Sequence, residues 1–484
     1  MAAISIGDIG LRVLDFMDEL ISELKRIVGP RGFLTDPASM EAQLTEWRGT
    51  WSGSTPILLR PNSTQQVSSI VAACAAARVP IVPQGGNTGL CGGAIPDAAG
   101  EQILLCLGRM NRLLDVDPED FSMTVQAGML LADVQAAALE ANRYFPLSLA
   151  AEGSCQIGGN LSTNAGGTSV LRYGTARDQV LGLEVVLPDG RVWNGLRRLR
   201  KDTAGYDLKQ LFIGSEGTLG IITAATLKLY PDPGTRQVAM IALNSATDAI
   251  ALLAMLRSEI GDQIQAFELM SRLSLEFVLR HTVDARQPFD ALPPWTVLLD
   301  VADGDGGAAV EQALMMGIER ELAVDAVIAK SDRESAVFWE LRHAVSEAQK
   351  HEGASLKHDV SVPVSAVARF IERAERTVLE SAPGARVVAF GHVGDGNVHF
   401  NISQPVDSAA NDFLARRDEI AAVVYDVVRD FDGSISAEHG VGVLKRDVLP
   451  HYRGELDVEL MRTVKRALDP ENLLNPGKVV DFGD

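Results

Sequence analysis

Three glycine-rich segments constrain this chain more than any other feature. They are QGGNTGLCGG at 84–93, GSCQIGGNLSTNAGG at 153–167 and GSEGTLGIIT at 214–223. The first follows directly on an apolar, strand-like run at 79–83. Successive small residues let backbone N–H groups converge into a concavity that accepts an anion. No Lys or Arg lies in 84–93, so the backbone itself would carry the anion there. Neither G-x-G-x-x-G nor G-x-x-x-x-G-K-[ST] occurs, which excludes two common nucleotide loops. Asn87, Thr88, Asn160, Thr163 and Asn164 add side-chain donors suited to phosphate or ribose. A single loop of this kind can be an ordinary tight connection. Three in one block fit an extended dinucleotide better than a mononucleotide.

Charge narrows the partners. The formal net charge of -20 argues against nucleic acid and against an anionic membrane surface, both of which need clustered Lys and Arg. The four cysteines, Cys74, Cys91, Cys106 and Cys155, form no C-x-x-C. Iron–sulfur, cysteine-rich zinc and thioredoxin readings are therefore weak, and scattered thiols fit a reducing cytoplasm. No apolar run is long enough for a membrane span. The first 29 residues are periodic and carry acids throughout. They read as an amphipathic helix packed on the body of the protein, not as a basic, acid-poor targeting segment.

Along the chain the texture changes once. Residues 51–234 alternate short strands with glycine loops and close at LYPDPG. Residues 235–445 have longer helices alternating with strands. The expected organisation is a helical segment at 1–50, a dinucleotide domain at 51–234, a second domain at 235–445 and a C-terminal segment at 446–484. The fold class is α+β.

The second domain holds its own chemistry. AFGHVGDGNVHFNIS at 389–403 reads as a hairpin with Asp395-Gly396 as a two-residue type I′ turn. That register puts His392 directly opposite His399, with Asn401 on the same face. Two facing imidazoles suit a metal or a catalytic site, though they also occur as ordinary polar hairpin residues. On the helix pattern FWELRHAVSEAQ, Arg342 and Ser346 fall four apart on one face, and Lys357 follows in a strand-like run.

PQGGNTGLCGG resembles the pyrophosphate loop of flavoproteins related to vanillyl-alcohol oxidase, with their PCMH-type FAD-binding domain. The other two glycine segments resemble that domain's further FAD segments. RKDTAGYDLKQLFIGSEGTLGIIT, GHVGDGNVHFN and SAEHGVG are similar to the D-2-hydroxyglutarate dehydrogenases. The resemblance implies two α+β subdomains holding FAD, an α+β cap with an antiparallel sheet, and a C-terminal segment returning to the FAD domain. It implies FAD contacts from Gln84, Gly85, Gly86, Asn87, Thr88 and Gly89, and from Gly153, Ser154, Gly158, Gly159, Asn160, Thr163, Asn164, Gly166 and Gly167. Glu216, Gly217, Ile221, Ile222 and Asn475 would complete the set. No histidine lies in the three loops, so the FAD is expected to be non-covalent.

The resemblance also implies a metal on His392, His399 and Glu438, with zinc favoured and manganese or ferrous iron open. His439 would be the general base and contact substrate. Glu438 and His439 are adjacent, so both reach one site only if the chain bends, as Gly440 permits. Arg342, Ser346 and Lys357 match the family's carboxylate-binding spacing, with Ser where Thr is more usual, and Asn401 would assist orientation. The implied partners are a D-2-hydroxy acid, an electron acceptor such as electron-transfer flavoprotein or a quinone, and a second copy in a homodimer. Rival readings are the same fold acting on D-lactate, D-malate or glycolate, a metallohydrolase built on the hairpin, and a flavin-binding subunit of an electron-transfer complex.

Overall fold

The computed structural model describes residues 6–302 and 307–483. Residues 1–5 of the expected leading helix lie outside the described residues. The helix runs Ile6–Val28, and its second half buries Leu20, Leu24 and Val28.

Two sheets share the first core. One has strands β1 (Phe33–Leu34), β2 (Leu58–Leu59), β3 (Ile81–Gln84) and β4 (Ile103–Cys106), in the order β1-β2-β4-β3. β3, β4 and β2 run parallel. The other has β5 (Leu113–Asp117), β6 (Ser122–Gln126), β7 (Val180–Val186), β8 (Val192–Gly195) and β9 (Ile221–Lys228), in the order β5-β6-β9-β7-β8. The helix Thr64–Ala77 shows why the local sequence folds as it does. Ser63 caps it by accepting the N–H of Gln66, and Val67, Ile70, Val71 and Cys74 form one buried stripe. It ends at Arg78, which takes a left-handed φ of 55°. Its stripe joins Ile81, Ile103, Val125, Leu183 and Ile221 in one core between the sheets. The first glycine loop leaves the C-terminal end of β3, and the third leads into β9.

The second body is one antiparallel sheet. Its strands are β10 (Arg236–Leu243), β11 (Ile264–Ser271), β12 (Trp295–Ala302), β13 (Asp325–Ile328), β14 (Ser355–Leu356), β15 (Asp359–Ser361), β16 (Arg386–Gly391) and β17 (Asn397–Ser403). The order is β13-β10-β12-β11-β16-β17-β14, with β15 also paired to β17. Both faces are covered. Ile241 and Leu299 point into a core with helices Ala246–Ile260 and Val367–Ser381, while Met240 and Leu298 point into another with Arg272–His281. Full cover explains why β10 and β12 are near-continuous apolar runs rather than alternating ones.

The hairpin corrects one expectation. Phe390, not His392, faces His399 across the β16–β17 pair, and Val388 faces Asn401. The connection runs from 392 to 396, longer than a two-residue turn. Of its residues only Gly396 has positive φ, at 90°, so Asp395 does not supply a type I′ turn. Asp395 instead takes the N–H of Asn397 on its carboxylate at 3.0 Å, and the His392 carbonyl accepts from Asp395 at 3.1 Å and Asn397 at 3.2 Å. The register differs from the expected one by two residues. A strand's side chains repeat every two residues, so the histidines still share a side.

After the helix Glu455–Leu468 the chain returns to the first body. Ile81 donates its N–H to the Leu473 carbonyl at 2.8 Å, and Asn475 donates to that of Ile81 at 2.8 Å.

Candidate active site

The three glycine loops line a single cleft, with about 910 Å³ of space counting the part open to solvent. Gln84 to Gly89, Gly158, Gly159, Asn160, Thr163, Glu216, Gly217, Ile221 and Ile222 line it, together with Cys91, Cys155, Gln156 and His439. At Gly86 a side chain would run into the backbone of Ser154, so the first two loops approach as closely as glycine allows. At Gly89 and Gly159 an added Cβ would meet nothing. Gln156 Oε1 and Asn160 Oδ1 are buried without a hydrogen-bond partner among the described residues.

Several side chains expected to face a phosphate are engaged elsewhere. Asn87 Nδ2 donates to the carbonyls of Ala42 at 3.0 Å and Thr45 at 2.9 Å, tying the loop to a helix end. Gln84 Nε2 donates to the Gln43 and Ala94 carbonyls. Asn164 Oδ1 accepts from Arg177 N at 2.9 Å and Thr175 Oγ1 at 3.0 Å. Thr163 Oγ1 donates to the Gly159 carbonyl at 3.1 Å. The backbone therefore faces the cleft, and the polar side chains hold the loops in shape. Gly153, Ser154, Asn164, Gly166, Gly167 and Asn475 lie outside the cleft lining. Gly167 turns toward the other centre and gives its N–H to Glu438 Oε2 at 3.0 Å. Asn475 Nδ2 bridges the first and third loops, donating to the carbonyls of Gly93 at 2.8 Å and Glu216 at 2.7 Å.

Glu216 joins the cleft to the second centre. Its carboxylate accepts the N–H of Val441 at 2.7 Å and of Gly442 at 2.9 Å. Burial raises its pKa against the pull of those two amides. The loop so held carries Glu438 and His439.

Glu438 Oε1 is the meeting point of three imidazoles. It lies 3.9 Å from His392 Nε2, 3.6 Å from His399 Nε2 and 3.9 Å from His439 Nε2. The bend that both neighbours require has an identifiable cause. Residues 434–437 pair with β15, and Asp359 Oδ2 then collects the N–H groups of both Glu438 and His439 at 2.9 Å. Gly440 follows with φ 78°. Asp359 sits across from His399 in the β15–β17 pair, and its other oxygen accepts Asn397 Nδ2 at 2.9 Å. Burial would raise its pKa, but His439, Lys445 and His399 hold it well below the usual carboxylate range.

His392 is oriented from behind. Glu268, fully buried on β11, places Oε1 2.6 Å from His392 Nδ1 and accepts the Nε–H of Arg342 on Oε2 at 2.8 Å. Burial opposes charge on His392, but Glu268 outweighs it and lifts the pKa to about 9. Burial and then the His392 charge push His399 well below the ordinary value. The sequence reading missed both Asp359 and Glu268. Glu268 was signalled by a lone acid inside the apolar run AFELM, since such an acid must be paired if buried, whereas the polar KHDVSV gave no such signal for Asp359.

Arg342 is buried and stacks over Phe390 at 4.9 Å. Lys357 Nζ and Asn401 Nδ2 both bond Gln349 Oε1, the latter at 3.0 Å, two residues along β17 from His399. Burial, with Arg48 and Lys350 nearby, lowers Lys357 to about 7. Ser346 is exposed, and its hydroxyl has no hydrogen-bond partner among the described residues.

Residues 232–479 match the family of FAD linked oxidases, C-terminal domain, and residues 55–195 match the FAD binding domain. The chain belongs to the FAD-linked oxidase family. Among its curated relatives is a D-2-hydroxyglutarate dehydrogenase of Xanthomonas citri pv. viticola, 39% identical over 469 residues, which are 96% of this chain and 98% of that one. A putative mitochondrial D-lactate dehydrogenase of Schizosaccharomyces pombe is 35% identical, over 95% of this chain and 90% of that one. The crystal structure of p-cresol methylhydroxylase with substrate bound superposes with a TM-score of 0.77 over 97% of this chain and 98% of that one, at 17% identity. That likeness is one of fold, and it agrees with the expected PCMH-type architecture.

The cleft of this FAD-linked oxidase fits its cofactor on structural grounds. Two unpartnered buried oxygens and glycine positions open to the cleft are what a bound dinucleotide would fill. Asp359, His399, Glu438 and His439 each offer a ligand atom, all within 4.8 Å of one another, a group that could hold a metal ion. Among the described residues no helix is long and apolar enough to cross a membrane.

Proposed function

We propose that this FAD-dependent hydroxyacid dehydrogenase oxidises D-2-hydroxyglutarate to 2-oxoglutarate with the help of a metal. The carrying observation is His439. Its ring lines the dinucleotide cleft, and its Nε2 lies 3.9 Å from the carboxylate where His392 and His399 converge. One imidazole thus stands at the boundary of both centres.

FAD bound without a covalent link would rest on the loop backbones at 84–89 and 158–160. Bound there, it would supply at N5 a two-electron acceptor for the α-hydrogen. His392, His399 and Glu438 would hold the metal, zinc in preference to manganese or ferrous iron, which supplies Lewis acidity toward an α-hydroxyl and α-carboxylate. His439 accepts the hydroxyl proton as general base. Asp359, 3.6 Å from His439 Nδ1, orients the ring so that Nε2 is the basic atom. Arg342 offers a planar fork and Lys357 a point charge to the carboxylates. Asn401 orients the substrate from the His399 side, and Ser346 contributes a hydroxyl at the rim. We place the protein in the cytoplasm as a homodimer that passes electrons to an electron-transfer flavoprotein or a quinone.

The exposed, unengaged Ser346 favours a second reading, oxidation of D-lactate, D-malate or glycolate, whose shorter or absent distal carboxylate does not reach that hydroxyl. Anaerobic titration with each D- and L-2-hydroxy acid separates the two. Bleaching of the flavin absorbance by D-2-hydroxyglutarate at the lowest concentration supports the first reading. Bleaching by D-lactate alone replaces it with the second, and no bleaching by any acid removes both.

A further inference from the structure

Glu268 is an acid between Phe267 and Leu269 on a buried strand, with no exposure. Its two oxygens serve different functions. Oε1 lies 2.6 Å from His392 Nδ1, and Oε2 accepts the Nε–H of Arg342 at 2.8 Å. His392 turns its other nitrogen, Nε2, toward Glu438. Arg342 spends only Nε on this contact, and its two Nη groups carry no protein hydrogen bond among the described residues.

We infer that Glu268 is a positioning residue that sets the metal-binding tautomer of His392 and the aim of the Arg342 guanidinium with one carboxylate. The inference rests on the proposed reading of His392 as a metal ligand and of Arg342 as a carboxylate clamp. An ionised carboxylate only accepts hydrogen bonds, so Nδ1 must donate to it. With Nδ1 held as donor to Glu268, Nε2, the atom facing Glu438, is the nitrogen left for a metal. The same acid holds Arg342 by Nε alone, which leaves the planar end of the guanidinium for a substrate carboxylate. Metal and substrate are thereby held in a fixed relation by a residue that touches neither.

The substitution Glu268→Gln isolates this role because it keeps size and shape. Arg342 Nε–H can only donate, so the amide oxygen stays on its side. The amide NH₂ then faces His392 Nδ1, which must accept. The ring proton moves to Nε2, where it blocks a metal.

The test is zinc titration of the flavin-loaded wild type and E268Q, with flavin content compared as a check of folding. Zinc affinity should fall about 10–100-fold in E268Q at equal flavin content. KM for 2-hydroxyglutarate should rise by a larger factor than KM for lactate. Equal zinc affinity in the two proteins overturns the inference while leaving the metal reading intact. A wild type that takes up no zinc overturns the metal reading, and the inference with it. If E268Q does not fold, ¹⁵N shifts of histidine-labelled, zinc-loaded wild type decide. A protonated Nδ1 on a zinc-bound His392 supports the assignment, and zinc bound through Nδ1 or not bound by His392 at all refutes it.

Discussion

Asp359 holds His439 at two places. Its Oδ2 accepts the backbone N–H of His439 at 2.9 Å and lies 3.6 Å from the Nδ1 of the same residue. The acid therefore sets both where the chain bends and how the imidazole is turned. Replacement Asp359→Asn keeps the size and removes the charge facing Nδ1. We expect kcat to fall about 10–100-fold with flavin content unchanged, the usual cost of removing a partner that orients a functional imidazole. A kcat within twofold of wild type would remove Asp359 from the site.

Glu216 links the dinucleotide cleft to the loop that bears Glu438 and His439. Truncation in Glu216→Ala leaves two loop amides, Val441 and Gly442, without their acceptor. Each such buried group costs about 1–3 kcal/mol. Urea unfolding should show a loss on the order of 2–6 kcal/mol. Flavin content and metal uptake should fall together in the partly destabilised protein, because Glu216 both lines the cleft and holds the loop of Glu438 and His439.

Lys357 supplies a pH dependence with a definite sign. Burial lowers its pKa to about 7, so the ammonium is present below that pH and is lost as pH rises through it. In the proposed role, kcat/KM for 2-hydroxyglutarate falls above about pH 7, since that ratio reports groups of the free enzyme. Lys357→Arg stays charged and should flatten the alkaline limb. A limb that survives unchanged in Lys357→Arg belongs to another group.

Arg342 should discriminate between substrates. Arg342→Ala is expected to raise KM for 2-hydroxyglutarate far more than for lactate, which lacks the second carboxylate. Steady-state kinetics on both acids measures this. Equal factors for the two would count against a clamp on the distal carboxylate.

The legible parts of this fold are those where a local pattern has a single physical solution. Val67, Ile70, Val71 and Cys74 can share a face only on a helix, and they do. The three glycine segments converge because small residues permit backbones to approach. What the sequence could not show was which polar side chains are spent inside the protein. Asn87 and Asn164 look like ligand donors in the sequence, yet their side chains are spent on Ala42 and Thr175, distant along the chain. Their partners are set by tertiary packing, which no local pattern contains. The turn after β16 failed for a similar reason, since Asp395 could cap its own loop instead of adopting positive φ. Asp359 and Glu268 act through partners brought by other strands, so their work becomes visible only once β15 lies beside β17 and β11 beside β16.

The bridge made by Asn475 bears on how the protein is made. It joins residues 382 and 259 positions away along the chain, at Gly93 and Glu216. A ribosome therefore displays all three glycine loops long before the residue that locks two of them together emerges. Until then this joint between the two loops is missing from the nascent chain.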